Sequence, residues 1–275
     1  MKINFKHLIS TVLLFTICLS CSDNAPEPDS EGIDSSCELE VVYRDNKSSS
    51  VTSTVYVDSG YGSDRVEYRE LADSSLVYYM TFEYNGQNQV TLSKRFDMND
   101  VLESEKTIEY WPSGEKKMIK TERKKIETLS DKTNAIQESY FDEKGNIEEY
   151  KNFNISGSIV YHTLYTNTYE GDKLVEAYRD HLVDRHDATL EYTYNSEGLI
   201  QEILTKDING EVTFKTEYEY SDDMNEVKRY SNGGTSLSGS EKTFFNENDT
   251  ILKTQSLSGD GSIRVEHSYS YNCSN

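Results

Sequence analysis

Five times along this chain an aromatic residue is followed by a short polar turn and then, six positions after the aromatic, by an apolar residue. The copies run Tyr84 to Val90, Phe141 to Ile147, Tyr169 to Val175, Tyr194 to Ile200 and Phe245 to Ile251, and looser copies open at Trp111, Tyr220 and Tyr271. Taken in order, the eight starts are 27, 30, 28, 25, 26, 25 and 26 residues apart. Spacing this regular marks one supersecondary unit used many times, each unit burying its apolar side against the next.

Between the turns the sequence alternates with period two, as a strand with one buried face requires. Leu76, Tyr78, Met80, Phe82 and Tyr84 form one such series, and Tyr161, Thr163 and Tyr165 another. Leu190, Tyr192 and Tyr194, then Phe214, Thr216, Tyr218 and Tyr220, then Ile263, Val265, His267, Tyr269 and Tyr271 continue it, with mostly Glu, Lys, Thr and Ser between. Each unit holds a second turn about halfway, at 97–100, 154–157, 207–210 and 258–262. Two strands and two turns per unit make antiparallel hairpins. The expected fold is all-β: an array of hairpin repeats of about 26 residues forming one long sheet that curls or closes. Residues 38–75 read as an atypical terminal cap. The Lys- and Glu-rich stretch 115–138 has helical propensity, but its place inside the repeat favours a strand pair.

Composition supports a folded chain. Charged residues are 28% and apolar residues only 35%, which alone suggests disorder, but 21 tyrosines bring the aromatic content to 11%. Disordered segments are poor in aromatics. Tyrosine is therefore the expected core-former. The formal charge is −21, from 28 basic and 49 acidic residues, and such a polyanion is a poor partner for nucleic acid, whose phosphates are bound by clustered Lys and Arg.

The first residues have the anatomy of a signal peptide. Lys2 and Lys6 precede the apolar run 8–17, too short to span a bilayer as a permanent helix, and the run ends in Cys18-Leu19-Ser20-Cys21. That ending resembles the bacterial lipobox, usually Leu-Ser/Ala-Gly/Ala/Ser-Cys, with Cys18 departing from it in the first place. The resemblance implies cleavage after residue 20 and lipidation of Cys21 with a palmitate-class acyl chain. Cleavage removes Lys2 and Lys6 and leaves a formal charge of −23. Residues 21–36 are acidic, hold two of the three prolines, and read as a tether to 37–275, the repeat domain. Ser22-Asp23 resembles the acidic export signal of surface lipoproteins of the Bacteroidota, which implies an outer-membrane and cell-surface address. Downstream of Cys21 only Cys37 and Cys273 remain. In an oxidising exported compartment they are expected to form one disulfide closing nearly the whole domain, the alternative being two free thiols.

The repeat resembles the YD-repeat family of Rhs-type cell-surface proteins, whose unit runs Tyr-Asp-x-x-Gly-Asn/Arg-Leu. Tyr140-Phe-Asp-Glu-Lys-Gly-Asn-Ile147 matches with one inserted aromatic, and Tyr194-Asn-Ser-Glu-Gly-Leu-Ile200 with Asn for Asp. The resemblance covers roughly residues 76–272 and implies β-hairpin architecture. Long Rhs proteins wrap such repeats around a toxin, and this chain is too short for that.

Candidate chemistry is sparse. His181 and His186 sit in the densest group of metal-ligand types, 179–187, but with neither a tight helical pair nor Cys partners, so a solvated hairpin tip is expected there. His162 falls at a polar-face position and His267 at a buried one. Acidic turns such as 97–100, 221–226 and 258–262 invite calcium, yet match no EF-hand or glycine-aspartate nonapeptide, and Asp, Asn and Gly suit turn dihedrals in any case. Carboxylates are too abundant for any pair to be informative, and no nucleophile elbow, His-Glu-x-x-His or phosphate-cradling loop occurs. The expectation is therefore no catalytic residue, no metal and no cofactor. The expected role is a lipid-anchored envelope module that binds a protein or glycan partner through exposed tyrosines or open strand edges. A polysaccharide hydrolase and an immunity or accessory protein of a secreted toxin are the alternatives.

Overall fold

The computed structural model describes residues 37–45, 51–57, 65–70, 75–124, 134–183, 186–246 and 250–273. The signal segment, Cys21 and the tether lie outside the described residues. The described chain is all strand and turn. Its elements are β1 (Cys37–Asp45), β2 (Val51–Val57), β3 (Arg65–Glu70), β4 (Leu76–Tyr84), β5 (Val90–Asp97), β6 (Leu102–Tyr110), β7 (Lys116–Arg123), β8 (Ile136–Phe141) and β9 (Ile147–Phe153). They continue as β10 (Ile159–Glu170), β11 (Lys173–His181), β12 (Ala188–Tyr194), β13 (Ile200–Lys206), β14 (Val212–Tyr220), β15 (Met224–Ser231), β16 (Ser236–Phe245), β17 (Ile251–Ser258) and β18 (Ile263–Cys273). The stretch 115–138 contributes β7 and part of β8, so the repeat phase overrides its helical propensity.

Each strand is antiparallel to its neighbours in sequence, and β1 pairs with β18 as well as with β2. The ladder of pairings thus returns to its start, and none of the described strands presents an unpaired edge, which removes the open edges expected for an array. The terminal segment 38–75 joins the same ladder through β1, β2 and β3 instead of standing apart as a cap.

At Tyr84, Phe141, Tyr194 and Phe245 the aromatic ends a strand and the apolar residue six later begins the next, whereas β10 runs one residue past Tyr169 and β11 opens at Lys173, two residues before Val175. A register shift falls at that aromatic in Tyr84, Tyr110, Phe141, Tyr169, Tyr194 and Phe245. Three of the five-residue loops between share one device. Asn85, Asp142 and Asn195 each accept, through Oδ1, the backbone N–H groups two and four residues on. A residue of positive φ follows three positions after the Asx, namely Asn88, Gly145 and Gly198. The second turns at Asp97, Asn154 and Asp207 repeat the clasp. These turns form two rims. One, the terminal rim, carries the turns after β4, β6, β8, β10, β12, β14 and β16 together with Cys37 and Cys273; the opposite rim carries the turns after β5, β9, β11, β13, β15 and β17.

Register partners share a face, so the ladder has a tyrosine face and a charged face. The tyrosine face is the more occluded. Its core cluster joins Leu174, Ala177, Leu190, Tyr192, Ile200 and Ile203, with Tyr169, Tyr194 and Tyr218 packed against it. Tyrosine hydroxyls close the repeat: Tyr110 donates to Val90 O at 2.8 Å, Tyr194 to Leu174 O at 2.7 Å and Tyr220 to Ile200 O at 2.9 Å. Each thus bonds a residue at the start of the preceding odd-numbered strand. The charged face carries cross-strand pairs such as Lys206–Glu191 at 2.5 Å and Lys242–Glu226 at 3.5 Å. Pairs of this kind contribute a few tenths to about 1 kcal/mol each. A lipid-facing barrel surface is apolar, and this Glu- and Lys-studded face is not. No helix among the described residues is long and apolar enough to cross a membrane.

Candidate functional site

The tyrosine face of β8 to β11 holds polar groups that the apolar cluster beside it does not. Alternation places Tyr161, Thr163 and Tyr165 of β10 on one face, and pairing sets Tyr150 of β9 and His181 of β11 on either side of Thr163. Thr163 is fully buried, and its Oγ1 shares a hydrogen bond of 3.0 Å with His181 Nδ1. Tyr161 stands edge-on to both Tyr150, at 5.6 Å, and His181, at 5.3 Å. Two residues along the strand, Asn152 of β9 lies between Gln137 of β8 and Tyr161. Two residues the other way, Tyr165 faces Arg179.

Three of these side chains have buried polar atoms with no partner in the protein: Gln137 Nε2, Asn152 Oδ1 and Arg179 Nε. Asn152 is 6% exposed. Buried polar atoms are nearly always paired, so three on one face of neighbouring strands single this strip out.

Toward the terminal rim the strip opens into a shallow depression of about 470 Å³, lined by Asp142, Glu143, Lys144, Glu148, Tyr165, Thr166, Asn167 and Tyr169. Its hydrogen bonds are dense. The Tyr169 hydroxyl donates to Asp142 Oδ2 and accepts from Asn146 Nδ2 at 2.9 Å. Asn167 Nδ2 donates to Ile147 O at 3.0 Å and to Asp142 Oδ2 at 3.3 Å. Lys144 Nζ lies 4.2 Å over the Tyr169 ring and donates to Gly171 O at 2.6 Å. Burial, then the Asp142 bond, push the Tyr169 phenol up, out of reach of ionisation near neutral pH. Burial, then the charge of Asp142, raise the Glu148 carboxyl above its ordinary pKa. Asp142 is committed on both oxygens, to its turn through Oδ1 and to Tyr169 and Asn167 through Oδ2.

The sequence-predicted residues fall apart from one another. His181 is not at a solvated tip: it ends β11 at 6% exposure, because its odd-numbered position shares the buried parity of Ala177. His186 is exposed in the connection that follows. His162 is on the charged face, 2.8 Å from Glu149 Oε1, and His267 is on the tyrosine face, its imidazole held below its ordinary pKa by burial. Among the described residues no three His, Cys, Asp or Glu side chains converge as metal ligands would. The acidic turns hold their carboxylates locally: Asp97 Oδ1 accepts from the Asn99 and Val101 amides, Asp223 Oδ1 from the Ser221 hydroxyl, and Asp260 Oδ1 from the Ser262 amide and hydroxyl. Cys37 and Cys273 meet as register partners. Gln137, Asn152 and Arg179 escape a reading of the sequence because a polar residue at a buried-parity position shows only once the strand pairing is known.

No protein-family model and no curated protein matches this chain. Solved structures that resemble it do so at low identity. A porin-like protein from Bacteroides vulgatus aligns over 85% of this chain and 97% of its own at 10% identity and a TM-score of 0.40. A protein of unknown function from Bacteroides fragilis covers 42% of this chain and 94% of its own at 14% identity and a TM-score of 0.31. The TcdB2-TccC3 structure aligns over 78% of this chain and 14% of its own, at 11% identity and a TM-score of 0.32. Likenesses at these scores carry no weight for function, and it is the chain's own geometry that points to one.

Proposed function

We propose that this chain is a non-catalytic lipoprotein of the cell envelope, held by an acyl chain on Cys21, that binds a glycan along the tyrosine face of β8 to β11. The observation that carries the reading is the set of unpaired polar atoms on Gln137, Asn152 and Arg179 beside half-buried tyrosines. Sugars present apolar ring faces that pack on aromatic side chains, ringed by hydroxyls that pair with amides and guanidinium groups. A bound oligosaccharide gives those atoms the partners the protein does not. The YD-repeat likeness fits a cell-surface role, the lipobox-like sequence ending at Cys21 supports the anchor, and the acidic Ser22-Asp23 that follows supports an outer-membrane address.

The depression favours binding over hydrolysis. Of its three carboxylates, Asp142 is fully engaged and Glu143 belongs to the exposed turn, which leaves Glu148 without a second free acid.

The test is a glycan array probed with the mature chain, followed by calorimetry on whatever binds. Binding that weakens about tenfold in Asn152→Ala and in Arg179→Gln, with both variants folded by circular dichroism, supports the reading. No glycan bound, or binding indifferent to both substitutions, rejects it, and product release from a bound oligosaccharide moves the chain to the hydrolase class. Intact mass of membrane-extracted protein tests the anchor separately.

A further inference from the structure

We infer that the opposite rim is a membrane-docking crown, whose apolar turn tips insert into the lipid surface of the bilayer to which Cys21 is proposed to be anchored. The evidence is a comparison the repeat itself supplies. The same Asx-clasped turn occurs on both rims, and the residue after the Asx is its tip. On the terminal rim the tips are Gly86, Glu143 and Ser196; on the opposite rim they are Met98, Ile155 and Ile208. Turn geometry is the same in the two sets, so it does not select the apolar residues. Met98 is 63% exposed, Ile155 50% and Ile208 75%, so neither does core packing. Leu182 and Val183 add two more exposed aliphatic residues in the turn after β11. Among the described residues of the terminal rim, Leu252 is the exposed large apolar residue. Aliphatic side chains gathered on one rim and left in water mark a contact surface.

A bilayer fits this surface better than a protein does. The tips are separated by the Asp and Asn residues of their own turns, and a protein face pressed on the rim would strip water from Asp97, Asp100 and Asp207. At a bilayer only the tips need pass the headgroups, while the carboxylates stay in the hydrated layer. The tether permits it. Cys37, where the tether meets the domain, is on the terminal rim, and a sixteen-residue segment reaches at most about 50 Å, whereas a nine-residue strand such as β6 is about 30 Å long. Lipid and rim together supply the two weak signals that stable anchoring takes, and this pose turns the depression on the terminal rim away from the membrane. The inference leans on the anchor reading only for the choice of bilayer; the rim is testable without it.

The experiment is vesicle flotation of the mature chain from residue 21 with Cys21→Ser, which keeps every described strand and has no acyl group. It is expected to float with phosphatidylcholine–phosphatidylethanolamine vesicles, and less well when phosphatidylglycerol is added, because the chain is strongly acidic. The triple variant Met98→Ser, Ile155→Ser, Ile208→Ser is expected to lose at least tenfold in partitioning with an unchanged circular dichroism spectrum. The inference is overturned if the Cys21→Ser chain stays at the bottom of the gradient or if the triple variant floats equally well. It is also overturned if sedimentation shows that the three substitutions split a dimer, which would make a second copy the occupant. An unacylated Cys21 in native membranes would sink the anchor and leave the flotation result standing.

Discussion

Cys37 and Cys273 are register partners at the seam where β1 meets β18. Opposed residues in an antiparallel pair have Cα atoms about 4.5–5.5 Å apart, inside the range of about 4.4–6.8 Å that a disulfide spans. The seam is also where two ends distant in sequence must find each other, so a covalent link there removes much of the freedom of the unfolded chain. Oxidised protein is expected to be two hydrogens lighter than reduced protein by intact mass. Reduction, or Cys37→Ser, is expected to lower unfolding stability by about 2–4 kcal/mol, read from guanidinium midpoints. Alkylation of both thiols in protein isolated without reductant would refute the link.

The tyrosine hydroxyls that bond the preceding hairpin define a second expectation. Tyr220→Phe removes the bond to Ile200 O and leaves the ring in place. A cost of about 1 kcal/mol is expected, and about the same for Tyr194→Phe at Leu174 O. Chemical denaturation of the two single variants and the double checks both the size and, since Tyr194 is the register partner of Ile200, how far the two bonds couple.

The turn device separates into two parts. Asn195→Ala removes the Oδ1 clasp on the Glu197 and Leu199 amides and is expected to cost about 1 kcal/mol. Gly198→Ala puts a side chain at φ +84°, where the added Cβ meets nothing closer than the Lys173 tip at 3.7 Å. Its cost, about 1–2 kcal/mol, is therefore backbone strain with no clash. Equal stability of Gly198→Ala and the parent chain would show that this turn adopts another conformation.

Alkaline pH is expected to unfold the protein before its buried tyrosines ionise. Burial pushes Tyr218 up to about 12, and burial with the neighbouring Tyr218 does the same to Tyr220. Their unfolded values lie near 10. Between pH 10 and 12 the folded state therefore holds protons that the unfolded state has released, so stability is full below pH 10 and falls as pH rises through that window. A phenol that keeps its proton to about pH 12 instead of 10 contributes roughly 2–3 kcal/mol at Tyr218, and less at Tyr220, where partial exposure to solvent weakens the effect. Tyrosinate absorbance should rise in two stages, exposed rings first and these two together with loss of the β-sheet circular dichroism signal. A single smooth titration with the sheet intact would contradict the burial of both rings.

What the sequence determined about this protein was whatever depends on near neighbours. Period-two alternation fixed which residues share a face, because successive side chains on a strand point to opposite sides. The aromatic, the Asx and the residue of positive φ fixed the turns, because those dihedrals and clasps are satisfied within five residues. His162 and His267 fell on the faces their parity required. Pairing between distant segments had no such local source. The join of β1 to β18, and with it the meeting of Cys37 and Cys273, was decided by closure of the whole ladder. The unpaired atoms of Gln137, Asn152 and Arg179 became a strip only when β8 to β11 were set side by side. The burial of His181, in a stretch that reads as a polar tip, followed from Thr163 across the ladder. The apolar tips Met98, Ile155 and Ile208 were legible singly as turn residues, and strand direction alone brought them to one rim.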